Sequence, residues 1–99
     1  MRKINLVYDC DYDDVDILMV PDHVAEDIER VVMRFNHWLM DPENRKQFLA
    51  PYKGRMELSI GTKEILWWIN HHERNEKDAV ATVYESHTNF CEDYPTADF

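Results

Sequence analysis

With 99 residues, 44% of them apolar and 12% aromatic, the chain can build one modest core and is too short for two. Its net charge of −9 argues against a direct grip on DNA or RNA, which needs a basic stripe to displace counterions from phosphates, and disfavours anionic membrane surfaces. Two distant cysteines, Cys10 and Cys91, make neither a secreted disulfide scaffold nor a zinc site; free thiols in a cytoplasmic protein are expected, with a single bridge left open.

Residues 3 to 8 and 15 to 20 are short runs rich in β-branched and aromatic side chains, which predicts two strands joined by a tight connection. The apolar run from Ile4 to Tyr8 is too short for a signal-peptide core or a membrane span. Between Ile4 and Glu29 stand nine carboxylates and no Lys or Arg: Asp9, Asp11, Asp13, Asp14, Asp16, Asp22, Glu26, Asp27 and Glu29. The acid is therefore concentrated on a hairpin and on the start of whatever follows it. Pro21 stops the second strand, and Asp22 is placed to cap a helix by accepting from a free backbone N–H.

From Val24 the apolar positions Val24, Ile28, Val31, Val32, Phe35 and Leu39 recur at spacings of three and four, one face of a helix that Pro42 ends by about Asp41. Arg45, Lys46, Pro51, Lys53 and Gly54 mark a short helical turn followed by loop, and residues 30 to 63 are locally basic. Met56 to Ile60 reads as a third strand, broken by Gly61, with Thr62 as the N-cap of a second helix running to about Arg74. On that helix Ile65, Trp68, Ile69 and His72 would face inward while Trp67, Asn70 and Arg74 point out. Asp78 to Glu85 resembles a closing strand.

These elements predict one α+β domain over residues 1–90, a small, mostly antiparallel sheet of about four strands with two main helices on one face, in the order β-β-α-β-α-β. Residues 91–99 read as a loose acidic C-terminal tail.

The run from Asp9 to Asp16 first suggests a calcium loop, but Asp14 falls where that loop needs Gly and Val20 where it needs a bidentate Glu. His71 and His72 are adjacent and diverge by roughly 100° on a helix, so they do not converge on one ion. Two glycines leave no room for a phosphate loop, and no nucleophile elbow surrounds Ser59 or Ser86. Neither an enzyme nor a bound metal or cofactor is expected.

Binding features weigh more. Along a strand every second residue lies about 6.6 Å further on, so Asp9, Asp11 and Asp13 would form a row that imitates a phosphate backbone, with Asp14 and Asp16 on the other face. Helical Glu26, Asp27 and Glu29 would extend it. Met33 and Trp67, off the central apolar faces of their helices, are candidate anchors unless another element covers them. The basic run from Arg45 to Arg55 either neutralises acid within the fold or makes the molecule bipolar, with a homodimer as one outcome.

In length, acidity, low cysteine content and the order of a strand pair followed by an amphipathic helix, the chain resembles the small inhibitor proteins of phages and mobile elements, of the anti-CRISPR kind. The resemblance covers general character and carries over no residue. It implies a blocker whose acidic surface occupies the nucleic-acid groove of a basic host or bacterial protein, such as a CRISPR effector. A toxin-neutralising immunity protein and a structural subunit of a larger assembly are the competing expectations.

Overall fold

The computed structural model describes residues 1–99. Strands β1 (Arg2–Val7) and β2 (Val15–Val20) pair antiparallel, with Arg2 opposite Val20 and Leu6 opposite Asp16. Helices α1 (Asp22–Glu26), α2 (Ile28–Trp38) and the one-turn α3 (Pro42–Arg45) follow. Then come the ribbon β3 (Leu49–Tyr52) and β4 (Arg55–Leu58), helix α4 (Thr62–Trp68) with a wider π turn through Glu73, and strands β5 (Thr82–Thr88) and β6 (Thr96–Asp98). The main sheet runs β5-β2-β1-β6, antiparallel except for the parallel β1–β6 pair. This is a small α+β fold with a mostly antiparallel four-stranded sheet.

Alternation along β1 and β2 sorts their side chains to two faces. Ile4, Leu6, Leu18 and Val20 meet Val24, Ile28, Val31, Phe35, Ile65, Trp68 and Ile69 from the helices. Phe35 is the hub, its ring edge-on to Trp68 and to Phe99 at 5.3 Å each. The opposite face buries Val7, Val15 and Ile17 under Phe90 and Tyr94.

Three expectations about the elements are corrected. The C-terminal tail is not loose: Thr96–Asp98 is the sheet's fourth strand, Ala97 is fully buried, and the buried Asn5 amide holds the segment before it. The strand at Arg55–Leu58 belongs not to this sheet but to a separate two-stranded ribbon with Leu49–Tyr52. The single helix after Pro21 is two, because Asp27 leaves helical geometry (φ −117°, ψ 24°) between α1 and α2.

The capping residues also differ. Pro21, not Asp22, occupies the N-cap of α1, and the Asp22 carboxylate instead meets the chain's amino terminus at 3.0 Å. Gly61 caps α4, donating its N–H to the Glu64 carboxylate at 3.1 Å, and this frees the Thr62 hydroxyl for other partners. His72, expected inward, is exposed and lies stacked on Trp68 at 5.3 Å. The closing strand begins at Thr82 rather than Asp78, after the Asn70 side chain has clasped Ala81 through both its N–H and its carbonyl.

Candidate functional site

The connection between β1 and β2 is too tight for ordinary backbone. Asp9 and Cys10 both take left-handed conformations (φ 50° and 58°), and Asp11 N–H donates to Tyr8 O at 3.0 Å. Two consecutive left-handed residues reverse a chain with the twist a hairpin needs. The Asp11 carboxylate then accepts from Asp13 N–H at 3.1 Å, which orders the second half of the loop. Residues 9 to 13 are thus a turn and not a strand, and the alternating row of aspartates does not form.

The nine carboxylates do not make one face. The hairpin loop caps the Leu6/Asp16 end of the strand pair, whereas α1 begins beyond its Arg2/Val20 end, so roughly 15–20 Å of strand separates the two acidic groups. At the helix end the acid is met from within: Arg2 reaches Glu26 at 3.9 Å, and Asp27 takes Arg34 at 3.2 Å and Arg30 at 3.8 Å. Glu29 has no ion pair.

At the hairpin end Asp14 and Asp16 are also engaged. Asp16 is half-buried on the helix side of the sheet, where it accepts from the Thr62 hydroxyl and, at 3.1 Å, from His87 N–H. Since the one Thr62 proton goes to Asp16, Tyr8 OH must be the donor in its 2.9 Å contact with Thr62 Oγ1. Burial raises the Tyr8 pKa above its ordinary value and keeps the phenol neutral. His87, itself left-handed at φ 52°, places Nδ1 3.0 Å from Asp14 Oδ1; that contact, with the charge of Asp16, raises the imidazole pKa. The cleft between these groups, about 350 Å³, is built of mutually satisfied partners. Its joints hold β5, the hairpin and α4 together.

That leaves Asp9, Asp11 and Asp13, exposed and with no Lys, Arg or His within 4.0 Å. On β1 Lys3 is committed elsewhere: its ammonium sits 4.0 Å above the Tyr84 ring, and that contact raises its pKa. Asp98 adds a fourth carboxylate to the tip, accepting from Cys10 Sγ at 3.2 Å and pushing that exposed thiol's pKa up. Among them stands Tyr12, 45% exposed and braced edge-on by Phe90 at 4.9 Å.

Met33 and Trp67 lie elsewhere. Met33 is 68% exposed on α2 beside an open apolar groove of about 580 Å³ that includes Trp38, Trp68 and His72. Trp67 is half-covered, stacked on His71 at 4.5 Å and flanked by Phe48 at 6.0 Å, so another element does shield it. Neither lines the cleft of Asp14 and Asp16. Cys10 and Cys91 are both free thiols, no three His, Cys, Asp or Glu side chains converge as metal ligands would, and no helix is long and apolar enough to cross a membrane.

Comparison with family models, with curated proteins and with solved structures gives no match.

The tip therefore differs in membership from the sequence-derived set. Asp9, Asp11 and Asp13 stand at the tip without a cation, Asp14, Asp16, Glu26 and Asp27 each have partners within the chain, Glu29 is unpaired at the helix end, and Tyr12, Phe90 and Asp98 join the tip. Tyr12 sits within the acidic run itself, and an aromatic side chain flanked by charge on a turn is a legible anchor. Phe90 and Asp98 join it only through the fold of the C-terminal segment.

Proposed function

We propose that the chain is a cytoplasmic, stoichiometric inhibitor that acts by occupancy and not by catalysis, docking its β1–β2 tip into the nucleic-acid groove of a basic protein. The observation that carries this reading is the contrast within one acidic sequence. Most carboxylates of the helix start are met by this chain's own cations, whereas Asp9, Asp11 and Asp13 are met by none. Unmet like charges on one turn repel each other and lower the stability of the fold, so a cationic partner gains by neutralising them. Tyr12, braced by Phe90 and flanked in sequence by Asp11 and Asp13, supplies what charge alone lacks: an apolar contact within the acidic turn. Carboxylates would set the rate of encounter, and burial of Tyr12 the lifetime of the complex.

The test is capture of a partner from bacterial lysate on the immobilised chain, followed by nucleic-acid binding assays on that partner. Support requires a nucleic-acid-handling protein that loses its DNA or RNA on addition of one equivalent of this chain. Its association must also slow about tenfold or more when Asp9, Asp11 and Asp13 are replaced by Asn. A captured partner that keeps its nucleic acid, or one bound equally fast by the triple variant, refutes the reading.

A further inference from the structure

The ribbon β3–β4 pairs with no other strand, and a lone two-stranded ribbon is marginally stable in water. Its register places Leu49 opposite Leu58 and Pro51 opposite Met56, and these four residues share one face because they stand two apart along each strand. All four are exposed; Met56 is 58% and Leu58 45% accessible. A face with no polar side chain on a projecting ribbon is the kind of surface that a partner covers.

Its charge says which partner. The two-residue turn Lys53-Gly54, left-handed at both positions, carries Lys53 at the tip with Arg55 beside it, on a chain whose net charge is −9. Arg55 is drawn to Glu57 at 2.7 Å, while Lys53 touches only the ring of its neighbour Tyr52. The complement of an apolar strip with a cationic tip is an exposed aromatic on a turn with unpaired carboxylates. This chain has one, Tyr12 among Asp9, Asp11 and Asp13.

We propose that the ribbon docks on the acidic hairpin of a second copy of this chain, and that copy's ribbon on the first, in a reciprocal two-fold dimer. Ribbons stacked only on each other would bury four side chains per copy, short of the roughly 1,200 Å² of a specific interface, and would leave the hairpin carboxylates unmet. Reciprocal docking doubles the covered area and opposes unlike charges. The ribbon also ends in a suitable place: two residues after Leu58, Ile60 lines the same cleft as Asp14 at the base of the hairpin, so both patches can take part in one two-fold contact. The dimer and the proposed inhibition use the same hairpin tip, so the dimer must open before a target docks; self-association is read without a target, and either reading can fail alone.

Sedimentation velocity on the full chain, from about 1 µM to about 1 mM, reads the dimer directly. A concentration-dependent dimer is expected, weakened about tenfold between about 0.05 M and about 0.5 M salt. Lys53→Glu and Asp13→Lys, each alone, are expected to weaken self-association at least tenfold, because each sets like charges together at both contacts. Mixing the two variants should restore a heterodimer, and Met56→Asp with Leu58→Asp should leave a monomer of unchanged circular dichroism. A wild-type monomer throughout, or two charge variants that do not recover on mixing, overturns the proposal.

Discussion

Asn5 and Cys91, 86 residues apart, grip each other through a complete amide: Asn5 Nδ2 donates to Cys91 O at 2.8 Å, and Cys91 N–H donates back to Asn5 Oδ1 at 3.1 Å. The Asn5 side chain is wholly buried on the sheet face that Phe90 and Tyr94 cover. A polar residue in the middle of a β-strand core is thus the fastener of the C-terminal segment. Asn5→Ala leaves the half-buried Cys91 N–H without a partner and its carbonyl with Tyr94 N–H alone, and is expected to cost about 1–2 kcal/mol. Urea denaturation measures the loss, and faster hydrogen exchange at Cys91 would locate it; a change under about 0.5 kcal/mol contradicts the role.

Phe35→Ala removes the ring that Trp68, Phe99 and Trp38 all meet, and a cost of about 3–5 kcal/mol is expected from chemical denaturation. Met33→Ala, on the same helix but exposed, should change stability by no more than about 0.5 kcal/mol.

The His87 pKa is raised, first by its contact with Asp14, so the folded state holds the proton more tightly than the unfolded chain does. Its stabilisation is therefore full below the ordinary histidine value near 6.5 and lost as pH rises through the higher folded value. The ring is exposed, so solvent screening keeps the effect small. NMR titration of His87 should show the raised pKa, and Asp14→Asn should return it toward the ordinary value. An unshifted His87 in the wild type contradicts the contact.

Cys10 is exposed yet should react slowly, because Asp98 holds its proton and thiolate is the nucleophile. Asp98→Asn is expected to speed alkylation by iodoacetamide several-fold at pH near 7.5. Equal rates in the two proteins would mean that the carboxylate does not govern the thiol.

Gly54 has open space around it but a φ of 79°. Gly54→Ala therefore costs backbone strain rather than a clash, about 1 kcal/mol confined to the ribbon. Self-association should weaken with it, while the unfolding midpoint of the main domain stays put.

The periodic elements were legible in the residues: β1 and β2 from their branched runs, α2 from Val31 and Phe35, α4 from Ile65, Trp68 and Ile69. Those signals depend on local spacing and burial, which a sequence displays. The break at Asp27 was not, since apolar spacing runs unbroken from Val24 through Ile28 while the backbone turns between them. Nor was β6, because Thr96–Asp98 has no pattern of its own and becomes a strand only by taking the free edge of β1. The acidic hairpin was half legible. Composition marked it, but which aspartates remain free depends on His87 and Thr62, brought from far along the chain.

The strand Thr96–Asp98 has a consequence for how the protein is made. Asn5 to Val7 precede their partners by about ninety residues, so one side of β1 stays unpaired until that whole stretch has been synthesised. Completion of the sheet is thereby postponed until Asp98 has emerged, and a nascent chain halted after Tyr94 would carry an open, sticky strand edge into the cell.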